Sequence, residues 1–303
     1  MTSGSNPAPA SPSIGFVDAG RLGASLAKAL GRADFPVVAV SRRSRPDAVS
    51  LAARIGRDAI GTDDPAEVLA AVDIVFLTCV DDRIAELART LAFRPDQVVL
   101  HCSGATPVSA LDPAAESGAR IGGFHPLQTF PDENGEDRFR GVTFGVESDD
   151  SSLLTWLEGL ANRLGGTSVR LDAASRPLYH ASAVMVGPLT SALAGLAAEL
   201  WEALGQDREA GVRALAPLLE ATARHVSEHG LPAALTGPYA RGDMGPVRSH
   251  VEALGSFRPE TLQAYAALAR AQLPIAAERG NIPEDRMREL RTLLEEALGA
   301  PRS

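Results

Sequence analysis

The residue types near the start of this 303-residue chain point to phosphate binding. The apolar run Ile14 to Val17 is followed by Asp18, Ala19, Gly20, Arg21, Leu22 and Gly23. Gly20 and Gly23 have the spacing of the last two glycines of a dinucleotide-binding turn, set between a strand and a helix. Gly20 would let backbone approach a pyrophosphate, and Gly23 would let the helix lie close to the strand. The helix N-terminus would offer N–H groups and partial positive charge to the phosphates. Asp18 stands where the first glycine belongs. Its carboxylate either faces the phosphates, at a cost on the order of 1 kcal/mol, or turns away, or caps the following helix.

About twenty residues on, at the end of the next apolar run, the chain reads Ser41, Arg42, Arg43. An NAD site would carry Asp or Glu there to hold the ribose hydroxyls. A hydroxyl beside two guanidinium groups suits a 2′-phosphate instead, so NADP is the expected cofactor. A solvated basic loop is the plainer alternative. Cys79 and Val80, and Ser103 and Gly104, each end an apolar strand and complete the expected cofactor contacts. His101 and Ser103, just before Gly104, read as nicotinamide or substrate contacts and equally suit hydrogen bonding within a loop.

A nicotinamide-dependent reductase needs an acid and an anchor for the substrate's anion. Arg176 and His180 are spaced i,i+4 and share a helix face, with His180 as proton donor and Arg176 polarising a carbonyl or holding a carboxylate. A helix-capping pair is the structural alternative. His125, before Pro126 at a strand end, is the second candidate acid, or a histidine satisfied by backbone in a turn. Arg241 and Asp243 follow a Thr-Gly-Pro turn, as a carboxylate-binding arm or as an ion pair pinning the loop. His250 faces either the same site or solvent. A Ser–His–Asp hydrolase is excluded by the absence of Gly-x-Ser-x-Gly.

The elements that must position these residues divide the chain. Strand-like runs at Ile14 to Val17, Phe35 to Val40, Asp73 to Cys79, Gln97 to Cys102, Ile121 to Phe124, Val142 to Val146 and Thr167 to Leu171 alternate with helical patterns such as Leu22 to Leu30 and Asp47 to Ile55. This is an α/β, doubly wound, Rossmann-like parallel sheet, with helices on both faces of nearly continuous apolar strands. From about Asp172 helical patterns take over: Tyr179 to Leu204 as one long helix kinked at Gly187-Pro188, then Arg208 to His229, Thr261 to Glu278 and Glu284 to Leu298. The expected organisation is a disordered tail over 1–13, a cofactor domain over 14–171 and an all-α domain over 172–300 for substrate and dimerisation.

A net charge of −9 disfavours nucleic acid and anionic membrane as partners. Two cysteines exclude a disulfide framework and point to a reducing, cytoplasmic setting, and neither has metal-ligand spacing. Around Ala181 to Leu200 an amphipathic or buried helix accounts for the apolar composition without a membrane span.

The chain resembles a family of Rossmann-like oxidoreductases with a C-terminal helical domain of unknown function, related to ketopantoate reductase, pyrroline-5-carboxylate reductase and 6-phosphogluconate dehydrogenase. The matching pieces are Phe16 to Gly23, Val99 to Ala105, Phe124 to Phe130, Tyr179 to Ala181 and Leu235 to Asp243. The resemblance implies an NADP-binding domain, a homodimer through the helical domain and an active site between domains. It implies reduction of a ketopantoate-like 2-oxo acid or, second, a cyclic imine. The chain departs from the family at Asp18, at Pro188 where Asn is usual, and at Arg176 where Lys is common. These departures motivate two rivals: a non-catalytic NADP-binding or sensing protein, and a reductase using a deazaflavin.

Overall fold

The computed structural model describes residues 12–56 and 58–299. The expected tail falls, through residue 11, outside the described residues, whereas Ser13 is ordered, its N–H and hydroxyl donating to the Asp73 carboxylate at 2.8 and 2.7 Å. Two compact units are present, one ending at Val184 and one beginning at Met185.

The first unit is built on a single sheet. Its strands are β1 (Ile14–Val17), β2 (Val37–Ser41), β3 (Ile60–Thr62), β4 (Ile74–Leu77), β5 (Val98–His101), β6 (Arg120–Pro126), β7 (Thr143–Glu147) and β8 (Thr167–Arg170). Their spatial order is β3-β2-β1-β4-β5-β6-β7-β8. All neighbours run parallel except β6 and β7. The helices are α1 (Arg21–Arg32), α2 (Arg45–Ile55), α3 (Pro65–Ala71), α4 (Asp81–Thr90), α5 (Asp112–Glu116), α6 (Ser151–Arg163) and α7 (Arg176–Val186). Ser44 and Asp64 start α2 and α3 by accepting the N–H groups of Asp47 and Ala66, with proline in the first turn of each helix.

The central strands β1, β4 and β5 are buried throughout, as apolar runs covered on both faces must be. On one face, Phe16 stacks on Phe76 at 5.1 Å and Phe124 on Phe144 at 4.6 Å, packed with leucines of α1 and α6. Each such aromatic pair contributes about 0.5–1.5 kcal/mol beyond burial. The other face packs Val17, Val75, Leu77 and Val99 against Val68 of α3 and Ile84 and Leu87 of α4.

The second unit is helical: α8 (Pro188–Glu199), α9 (Arg208–His229), α10 (Pro238–Arg241), α11 (Met244–Gly255), α12 (Pro259–Ala277) and α13 (Glu284–Gly299). Its core joins Val247, Leu254, Leu262, Leu273, Leu290 and Leu294. Outside that core, Leu189, Leu193, Leu218 and Leu219 of α8 and α9 are exposed.

The doubly wound expectation holds, with three corrections of detail. Strand β3 was not anticipated, because Ile60-Gly61-Thr62 has no apolar run and Ile60 is half exposed. The helix expected over Tyr179 to Leu204 is interrupted at the expected Gly187-Pro188 position (Gly187 ψ −97°), but as a full break into two helices, and it ends in a 3₁₀ turn. Pro188 causes the break, since it has no N–H to bond back into the preceding turn. Helices α10 and α11 lie in what reads as a loop, because their glycines and prolines hide a short helical pattern. By length and composition, Arg176–Leu204 is apolar enough to cross a membrane. At its start Arg176 is held to β7 by a buried ion pair with Glu147, and the helix is broken at Gly187.

Candidate functional site

The cleft at the C-terminal ends of β1, β2 and β4 explains the glycine pattern. The backbone leaves β1 through Asp18 at φ +52°, in the left-handed region. That conformation favours glycine, and Asp is among the few other residues that tolerate it. The carboxylate is paired within the cleft: Asp18 Oδ2 lies 2.6 Å from Arg83 Nη1 of α4. The capping alternative is overturned, since Gly20 is the N-cap of α1 and no side chain caps that helix. The first-turn N–H groups are left for an anion. A methyl on Gly23 would meet Thr78 Oγ1 at 2.3 Å, so α1 can pack this closely only with glycine there. A methyl on Gly20 would meet nothing within 4 Å, so its face stays open to a ligand.

Asp18, Ala19, Gly20, Arg42, Arg43, Cys79, Val80 and, unanticipated, Thr78 and Arg83 line a cavity of about 240 Å³. Burial, reinforced by the Asp18 charge, pushes the Cys79 thiol up to about 11 and keeps it neutral. Other expected contacts lie elsewhere. Ser41 is buried, and its hydroxyl accepts the Asp18 N–H at 3.3 Å, so it does not join the two arginines. The Arg21 guanidinium donates to the Pro131 carbonyl, and Leu22 packs against the core. These two offer backbone to the cleft, not side chains.

Sequence offers no local sign of Arg83. The signal was the anomaly itself, because a carboxylate at the fingerprint's first position needs a cation nearby. Replacing Arg83 with Ala should weaken NADPH binding about tenfold by baring the Asp18 charge. Asp18→Gly added to that variant should recover most of the loss, read by calorimetry as a double-mutant cycle. Equal affinities for all four proteins would mean the pair lies outside the phosphate path.

A second cluster forms at the ends of β5 and β6. His101 closes β5, and its Nδ1 accepts the Ser103 N–H at 3.2 Å. His125 lies near the end of β6, and its Nδ1 is 2.9 Å from the Tyr179 hydroxyl of α7. His180, one residue on, has a buried Nδ1 with no hydrogen-bond partner among the described residues. A methyl on Gly104 would lie 2.6 Å from His180 Nδ1 and 2.8 Å from His125 Nε2, so the two imidazoles converge over this glycine. Tyr179 keeps its proton, its hydroxyl pushed up to about 12 by burial. When it donates to His125 Nδ1, the His125 proton sits on Nε2, facing Gly104. Burial foremost, then His180 and Arg176, lowers His125 to about 4. Burial, then Arg176 and His125, lowers His101 to about 3. Both are uncharged imidazoles at neutral pH. Ser103 and Gly104 thus lie in this cluster and are not among the residues that line the cavity at Gly20.

Arg176 requires a correction. It shares the site-facing side of α7 with His180, as the spacing predicts, but it is not open to a substrate. Its side chain is 1% exposed, Nε and Nη2 both bind Glu147 of β7, and Nη1 donates to the Ser103 carbonyl at 2.9 Å. A guanidinium this deeply buried has to be paired. In the second unit, Arg241 Nε pairs with Asp243 Oδ2 at 2.7 Å while its side chain stays 64% exposed. His250 Nδ1 meets the Tyr265 hydroxyl at 2.8 Å, so it is engaged within its own unit.

The Rossmann-like domain family matches residues 2–126, and the domain of unknown function DUF2520 matches residues 142–272. The chain joins a Rossmann-like domain to a DUF2520 domain. His101, Gly104 and His125 come from the Rossmann-like match, and Glu147, Arg176, Tyr179 and His180 from the DUF2520 match, so the imidazole cluster needs both. Among solved structures, the chain is similar to a Bacteroides fragilis protein assigned as an NADP oxidoreductase. They share 28% identity at TM-score 0.67, over 87% of this chain and 98% of that one. In fold it also resembles a Coxiella burnetii pyrroline-5-carboxylate reductase (17% identity, TM-score 0.55, 97% and 100% covered). A reductive aminase from Aspergillus terreus, solved with NADPH, shares the fold too (18% identity, TM-score 0.54, 95% and 94% covered). No curated protein sequence matches the chain.

Proposed function

We propose that this protein is an NADPH-dependent reductase of a small carboxylate-bearing substrate, a ketopantoate-like 2-oxo acid or a cyclic imine. One observation carries the reading. The glycine turn with its arginines and the paired imidazoles occupy the same edge of one sheet, at the C-terminal ends of its parallel strands β1, β2, β4, β5 and β6, where such sheets bind ligands. Gly20 and the uncapped start of α1 fit a pyrophosphate, and Arg42 and Arg43 fit a 2′-phosphate. NADPH, when bound, would supply the hydride. The Bacteroides relative supports an oxidoreductase, and the fold shared with an NADPH-bound reductive aminase supports the cofactor.

The chain's own residues act over Gly104. His125, neutral and held by Tyr179, donates a hydrogen bond from Nε2 to the reacting group without bringing charge. His180 handles the proton from Nδ1. The exposed leucines of α8 and α9 support a homodimer, which light scattering would remove by returning the mass of one chain.

The test is calorimetry with NADPH and NADH, followed by NADPH oxidation with a panel of 2-oxo acids and cyclic imines. The expected result is micromolar NADPH binding and turnover on one class. Binding without any turnover would transfer the chain to the non-catalytic, sensing reading. A His180→Gln variant with an unchanged rate would remove His180 from the chemistry.

A further inference from the structure

The arginine that is to meet a 2′-phosphate already holds a carboxylate. Glu133 Oε1 lies 3.0 Å from Arg42 Nη1, and its Oε2 lies 2.9 Å from Arg54 Nη2 of α2. The segment carrying Glu133 follows β6 and is fastened along one side of α1. Arg21 donates to the Pro131 carbonyl at 3.2 Å, and Ser25 Oγ accepts the Gly135 N–H at 3.1 Å. Lys28 pairs with Glu136 at 2.7 Å, and Arg32 with Glu136 at 2.8 Å. Positions 21, 25, 28 and 32 recur at helical spacing, so a single face of α1 presents the segment. Glu133 is therefore delivered to Arg42 by a braced element.

Arg42 makes poor use of that contact. Its Nε and Nη2 are buried with no hydrogen-bond partner among the described residues, while Nη1 meets Glu133. A phosphate monoester carries more charge and more acceptor oxygens than a carboxylate, and could satisfy a guanidinium more fully. Carboxylate and 2′-phosphate want the same cation.

We infer that Glu133 is a specificity-determining residue, an internal competitor that occupies Arg42 and Arg54 and weakens NADPH relative to NADH. This rests on the NADP reading above. Neutralising Glu133 frees both guanidiniums and removes a negative charge from the phosphate's surroundings. Glutamine keeps the size of the side chain and one acceptor, so the braced segment stays in place.

The experiment is calorimetry on the full chain with NADPH, NADH, 2′,5′-ADP and 5′-AMP, comparing wild type, Glu133→Gln and Arg42→Ala. Glu133→Gln should bind NADPH and 2′,5′-ADP about tenfold more tightly, with NADH and 5′-AMP changed less than about twofold, and the gain should shrink at high salt. An unchanged NADPH-to-NADH ratio would overturn the inference. A lowered ratio would overturn it too, making Glu133 a support that aims Arg42 at the phosphate. Arg42→Ala separates the two levels of the argument. Loss of 2′,5′-ADP binding there upholds the phosphate site whatever Glu133→Gln does. If 2′,5′-ADP binds neither wild type nor Glu133→Gln, the NADP reading falls, and this inference with it.

Discussion

Gly104→Ala is expected to lower kcat/KM by about a hundredfold or more, with NADPH affinity and melting temperature nearly unchanged. The added methyl would stand 2.6 Å from His180 Nδ1 and 2.8 Å from His125 Nε2 and Cε1, closer than packed atoms approach. Something must move, and the movable groups are the two imidazoles proposed to do the work. Displacement of catalytic groups by about 1 Å is enough for a loss of this size. Gly104 does not have a positive φ, so alanine strains no backbone, and the cavity at the start of α1 that would hold the phosphates is lined by other residues. Steady-state kinetics beside a thermal melt and an NADPH titration make the check. An alanine variant with wild-type kcat/KM would show that the reaction does not take place over this glycine.

Glu147→Ala is expected to cost about 3–5 kcal/mol of unfolding free energy, the usual consequence of removing one partner of a buried ion pair. Arg176 is 1% exposed and has Glu147 as its only ion-pair partner among the described residues. Without that carboxylate a guanidinium charge remains buried between β7 and the Ser103 turn. Activity should fall as well, since Arg176 also holds the Ser103 carbonyl beside Gly104. The denaturant midpoint measures the loss. Replacing both partners, as Glu147→Leu with Arg176→Met, should recover much of the stability, because the pair's removal also removes the desolvation cost. A loss below about 1 kcal/mol for Glu147→Ala would mean the pair behaves as a screened surface contact.

Several of the site's partners lie far apart in the chain. Asp18 and Arg83 are 65 residues apart, His125 and Tyr179 are 54 apart, and Arg176 and Glu147 are 29 apart. Arg176 shows the consequence most plainly. Its spacing to His180 correctly puts both on one face of α7, but whether that face meets substrate or a carboxylate depends on where β7 passes. His125 illustrates the same point for chemistry. Its place near a strand end is visible in Phe124-His125-Pro126, whereas its hydrogen-bond partner is a tyrosine on a helix added after the sheet is complete.

What the sequence by itself determined is the local and periodic part: apolar runs for β1, β4 and β5, the Gly20 to Gly23 turn, the arginines after β2, and the helices α9, α12 and α13. These follow from alternation, helical spacing and turn chemistry, which act between residues close in the chain. Only the tertiary structure decided that Asp18 is neutralised by Arg83, that Ser41 turns inward, that Arg176 is structural, that Glu133 reaches Arg42, and that two imidazoles meet over Gly104. Crossover connections bring the C-terminal ends of parallel strands to one edge regardless of their separation in the chain. The pairing of charges and hydrogen bonds across that edge depends on strand register and helix packing, for which a linear pattern carries no signal.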